Sequence, residues 1–150
     1  MRRTVEAMLV VAIVLDVAYW SIWFTQRDWI ASEHTQAYYD FENAFPLADL
    51  WLGIAALLAL VTLVRRRPSA LLWLIATGAA GLYLGCLDLL YDLEHGIFGK
   101  GGGGAFEGVI VAVTWVFSIT VLYYAWTRRG ELLVGDRGVP DDSEPPAPAP

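Results

Sequence analysis

Residues 70–90 read ALLWLIATGAAGLYLGCLDLL, an apolar run whose only charged residue, Asp88, stands near its end. A helix of about 20 such residues crosses the roughly 30 Å hydrocarbon core of a bilayer. Three more runs of this kind lie at about 5–24, 45–64 and 106–126. At 57% hydrophobic residues the composition exceeds that of ordinary soluble domains. The chain therefore reads as an all-α integral membrane protein, a multi-pass four-helix transmembrane bundle over residues 1–129 whose solvent is the lipid bilayer of the cell membrane. The first run follows Arg2 and Arg3, as a signal peptide would. It is too long for one, however, contains Asp16, and ends in YWSIWF rather than a small-residue cleavage site.

Arginine placement sets the expected orientation, because Lys and Arg near span ends stay on the cytoplasmic side. Arg2, Arg3, the turn Arg65-Arg66-Arg67-Pro68, Arg128 and Arg129 fall on one side, against only Arg27 and Lys100 on the other. Both termini are thus expected to be cytoplasmic. Trp20, Trp23, Trp29, Tyr38, Tyr39, Tyr91, Trp51 and Phe106 read as an outer aromatic belt, and Trp73, Tyr123, Tyr124 and Trp126 as an inner one. Residues 130–150 are acidic and proline-rich and read as a disordered cytoplasmic tail. Residues 25–44, too long for an unstructured connection, predict a short interfacial helix or lid. GKGGGG at 99–104 reads as a flexible connector, since it lacks the GK[ST] ending of a phosphate cradle.

The acids gather on the outer side, and the net charge of -6 understates that asymmetry. No basic surface is offered to phosphate, which disfavours a nucleic-acid partner. Cys86 is the only cysteine, which removes disulfides and C-x-x-C redox chemistry and leaves a small residue packed in the third span. Asp16, Asp49, Asp88 and Glu107 place a carboxyl within each span, with Glu42 just ahead of the second, and no span contains Lys or Arg. Carboxylates in a bilayer cost a few kcal/mol by insertion scales, so they face a bundle interior and usually serve function. Arg27 is the nearest counter-ion for Asp16 along its helix.

Helical spacing puts Thr77, Gly81, Gly85, Asp88, Asp92 and His95 on one face, where small residues favour close helix approach. Asp49, Gly53, Ala56 and Leu60 form a similar stripe, with Asn43 as a candidate cap before Pro46. Asp49 and Glu107 also suit a first helical turn, where acids meet free amide groups. Asp88 and Asp92 sit toward a C-terminus, where the dipole disfavours anions. The set Asp88, Asp92 and His95 has the spacing of a helical half-site for a divalent cation, the one candidate cofactor, which His34, Glu42 or Asp49 would complete.

These features predict an outward-facing pocket lined by Asp16, Glu42, Asp49, Asp88 and Glu107, suited to cation binding or to cation- or proton-coupled transport. Two alternatives are an intramembrane enzyme acting on a lipid or isoprenoid through paired carboxylates, and a non-catalytic accessory or sensor subunit. Transport through so few helices calls for a homo-oligomer or a partner membrane protein. Beyond Glu6 at the very start of the first run, the inner halves of the spans carry no acid or base, which weighs against it.

Overall fold

The structure, a computed structural model, describes residues 1–134 and is all-helical over them. Helix α1 runs over Arg2–Gln26, α2 over Gln36–Glu42, α3 over Pro46–Val64, α4 over Ala70–His95, α5 over Gly101–Thr127 and α6 over Arg129–Val134. Four helical segments are long and apolar enough to cross a membrane, which makes this a multi-pass helical bundle by length and composition. Helices α1, α3, α4 and α5 alternate in direction, and each packs on the next in that order, while α1 meets α5 only sparsely. One end carries the arginine clusters and is called the basic end. The other, with residues 27–45 and 96–100, is the acidic end.

The basic end is closed by aliphatic packing. Val5 and Leu9 of α1, Ala59 and Leu63 of α3, Leu74 of α4 and Val121 and Ala125 of α5 are all essentially without solvent exposure. Arg2 ties this end together: its guanidinium donates to the carbonyls of Leu63 (3.0 Å) and Val64 (3.3 Å) and pairs with Glu6 at 2.8 Å. The last carbonyls of α3 thus receive a cation, as a helix C-terminus favours. Arg66 then takes a left-handed conformation at φ 50. Arg66 N–H bonds to the Leu63 carbonyl and Arg67 N–H to the Thr62 carbonyl, a Schellman closure that stops the helix before Pro68.

Between α4 and α5 the small-residue stripe works as spacing predicts. A Cβ placed on Gly78 would stand 2.6 Å from Leu122, one on Gly81 2.3 Å from the Ser118 hydroxyl, and one on Gly85 2.8 Å from the Trp115 indole. Glycine therefore sets how closely this pair approaches.

Several expectations change. Residues 99–104 are not a slack connector. Gly99 ends a 3-10 turn over Ile97–Gly99, and Gly101–Gly104 form the first turn of α5. The reason is contact: a Cβ on Gly104 would lie 2.0 Å from the Ile97 carbonyl oxygen, and one on Gly103 3.1 Å from the Ser32 backbone. Residues 129–134, where a disordered tail was expected to begin, are helical because Leu132 packs on the basic-end core and Arg128 pairs with Glu131. The remainder of that tail lies outside the described residues. Cys86 is exposed on the outer face of α4 rather than packed. Asn43 does not cap α3, whose N-cap is Phe45 and whose first position is Pro46.

Candidate functional site

The segment between α1 and α3 folds down onto the acidic end. Tyr38 of α2 is buried beside Trp23 and Ile97, and Tyr19, Trp20, Tyr39 and Tyr91 pack around them as a second, aromatic core. Acidic side chains fill the layer between this core and the aliphatic one.

Helix α1 supplies hydrogen-bond donors to that layer. The Tyr19 hydroxyl donates to Glu42 Oε2 at 3.0 Å, Trp20 Nε1 to Asp49 Oδ2 at 3.0 Å, and Trp23 Nε1 to Asn43 Oδ1 at 3.1 Å. Positions 19 and 23 lie one turn apart, so their rings stack with centroids 6.2 Å apart and aim their polar edges the same way. Trp20 and Trp23 are therefore donors turned inward rather than members of an outer belt. Trp29, Trp51 and Phe106 are exposed, as belt residues should be.

Glu107 is only 4% exposed. It lies in the second turn of α5, because that helix starts earlier than its apolar run suggests, so capping does not account for it. Its Oε2 accepts from the Ser32 hydroxyl at 2.7 Å, which fastens the segment after α1 to α5. Lys100 pairs with Glu33 at 2.9 Å beside this contact. Asp92 is 2% exposed, and its Oδ2 has no hydrogen-bond partner. Asp88 is half-buried.

Glu42 of α2, Asp92 of α4 and Glu107 of α5 are buried at the acidic end, with Asp49 of α3 and Asp88 of α4 half-buried. Asp16 of α1 is half-buried further toward the basic end. It lies against Gly53, where a Cβ would stand 2.7 Å from its Oδ2. That is one helical turn from Asp49, on the side of the basic end. Arg27 does not neutralise Asp16. Its guanidinium sits over the Tyr39 ring, 4.3 Å from the centroid.

The metal half-site is not assembled: among the described residues no three His, Cys, Asp or Glu side chains converge to hold a metal ion. His95 turns its Nδ1 to the Tyr91 carbonyl at 2.9 Å and stacks on the Tyr91 ring. His34 contacts the Tyr39 hydroxyl at 2.8 Å on the exposed surface. Spacing put Asp88, Asp92 and His95 on one face, but their own helix and neighbouring rings claim the imidazole.

Two partners of the acids escaped sequence reasoning. Tyr19 was readable in principle, since an i, i+1, i+4 set of aromatic residues with polar edges faces a segment rich in carboxylates. Ser32 carried no signal, because only the chain reversal after α1 brings it to Glu107.

The Tyr19–Glu42 bond can be measured alone. Tyr19→Phe keeps the ring and leaves Glu42, itself 6% exposed, without its donor. Removing one partner of a buried hydrogen bond costs about 1–3 kcal/mol. Tyr19→Phe should lower the melting temperature measurably, whereas Tyr123→Phe on the exposed face of α5 should not. Equal melting of the two variants would remove the donor role of Tyr19.

Compared with family models, with curated proteins and with solved structures, the chain finds no match.

Proposed function

We propose that the protein binds small cations, protons included, at the carboxylate cluster of its acidic end, and that this end faces away from the cytoplasm as the arginine distribution requires. One observation carries the reading. Glu42, Asp92 and Glu107 are buried at this end beside the half-buried Asp49 and Asp88, and none of the five forms an ion pair with Lys or Arg among the described residues. A pair of like charges about 6 Å apart costs roughly 3 kcal/mol at an effective dielectric constant of 20, and a cation about 4 Å from one carboxylate recovers about 4 kcal/mol. A cluster with no internal cation must take one from solution or hold protons. The buried, unpartnered Oδ2 of Asp92 is an acceptor awaiting such a ligand.

Absence of a converged three-ligand set among the described residues favours protons or a partly hydrated monovalent ion over a tightly chelated divalent metal. The aliphatic core of the basic end separates the cluster from that face. Binding from one side is therefore the property the geometry favours. Coupled transport would require this core to part, or a second copy or partner subunit to complete a path.

The test uses purified protein in weakly buffered detergent solution. Sodium, potassium, magnesium or calcium chloride is added against choline chloride at matched ionic strength. A cation bound at about a hundred times its Kd stabilises the folded state by about 2.7 kcal/mol. At least one small cation should raise the melting temperature over choline and release protons to a pH dye, and Glu42→Gln should reduce both signals. Melting that is the same in every salt and unchanged between pH 5 and pH 8 would sink the proposal.

A further inference from the structure

A second binding feature lies outside the acid cluster, on the flank of the bundle. Between α1 and α3 a groove of about 560 Å³ is lined by Asp16, Trp20 and Phe24 on one side and Pro46, Leu47 and Leu50 on the other. Phe24 and Leu47 are strongly exposed at its rim, so the groove opens sideways to where lipid would be. Helix α1 buries only Val5, Leu9 and Trp23 along its length. It is held at its two ends, and the groove occupies the less tightly packed stretch near its outer half.

Asp16 is the unusual member of this lining. No hydrogen bond or ion pair reaches it from any described residue, and its Oδ2 rests against the backbone at Gly53. It is half-buried near the middle of a membrane-spanning helix, where a lone carboxylate is costly and ordinarily has a partner. Arg27 is committed to Tyr39, and Trp20 N–H to Asp49. Trp20 also lines the groove, with its N–H already bound. An apolar slot open to the leaflet, with one acid and one indole at its base, complements an apolar molecule carrying one positive charge.

We propose that this groove binds an amphiphilic amine, a single protonated nitrogen on an apolar skeleton that enters from the leaflet, with Asp16 as its counter-ion. The apolar skeleton lies along Phe24, Leu47 and Leu50, and the nitrogen sits beside the Asp16 carboxylate. The groove adjoins the acid cluster through Trp20, whose N–H bonds to Asp49, but its occupancy rests on Asp16 and not on the cation reading.

The test uses the full chain in phosphatidylcholine nanodiscs and two probes of equal chain length, dibromostearylamine and dibromostearyl alcohol, whose bromines quench nearby tryptophan. The amine should quench saturably at a mole fraction about tenfold below the alcohol, because only the amine carries the charge that matches Asp16. Asp16→Asn should erase that difference. Leu50→Phe narrows the slot without touching the acid, and it should weaken the amine response whether or not the Asp16 variant folds. Equal quenching of the wild type by amine and alcohol overturns the proposal, as does a preference that survives either substitution. Disulfide cross-linking of Leu47→Cys chains in a Cys86→Ala background, with no response to amine, would assign the groove to a second copy of the chain and overturn it equally.

Discussion

Gly104→Ala will be among the most destabilising single changes in this protein, while Gly102→Ala, two residues earlier in the same helical turn, will stabilise it. A Cβ on Gly104 would stand 2.0 Å from the Ile97 carbonyl oxygen, 3.0 Å from the Ile97 carbonyl carbon and 3.1 Å from that of Phe98. These are backbone atoms, and no rotamer change can move them aside. Relief requires the 96–100 turn to lift, and that turn carries Ile97, which is fully buried in the aromatic core. Overpacking of a rigid site costs about 1–3 kcal/mol and occasionally more, and a backbone clash lies at the upper end. At Gly102 a Cβ would meet nothing within 4 Å, so the substitution contributes only helix propensity, about 1 kcal/mol in favour of alanine. Thermal melting of the two variants should therefore move in opposite directions. A shift of the same sign and size in both would show that the α4–α5 turn does not hold Gly104 against Ile97.

The same glycines show where sequence reading succeeds and where it stops. Apolar run length located the four spanning segments, and period alone put Thr77, Gly81, Gly85 and Asp92 on one face of α4, where all four are buried. Both signals are local, and each repeats along its helix. Helix ends were less legible. Polyglycine has poor intrinsic helix propensity, so 101–104 reads as a loop until the close approach to Ile97 and Ser32 is known, and that approach depends on how α4 turns back. The misplaced start of α5 then misassigned Glu107 to a first turn, where a cap role looked reasonable. The aromatic residues failed for a related reason: Trp20 and Trp23 have the composition of a membrane belt, and only the packing of α3 on α1 supplies Asp49, and the descent of residues 27–45 onto the bundle Asn43, as acceptors. Among the candidate site residues, burial of Glu42 and Glu107 is what placing acids on inward helix faces leads one to expect, whereas Asp49 and Asp88 are only half-buried. The imidazole of His95 was lost because its own helix offers the Tyr91 carbonyl at shorter range.

Asp88→Lys is expected to abolish the response to added cations, a larger effect than neutralising the same position. Asp88 makes no hydrogen bond among the described residues, so the substitution breaks none, yet it is half-buried one helical turn from the buried Asp92. A lysine ammonium there has three donors on a flexible stem and becomes a tethered cation for the surrounding carboxylates. Wild-type melting should depend on the cation supplied, by an increment of about 2.7 kcal/mol at a hundredfold excess over Kd. In Asp88→Lys that increment should vanish, with melting the same in sodium, potassium, calcium and choline salts. Asp88→Asn removes one negative charge but supplies no positive one, so a reduced increment should remain. The ordering of wild type, Asp88→Asn and Asp88→Lys separates a site built on net charge from one built on a specific ligand oxygen, because loss of a ligand alone would make the asparagine and lysine variants alike. If Asp88→Lys retains the full wild-type increment, the cation binds away from the cluster, and the exposed Asp28 and Asp40 become the acids to examine.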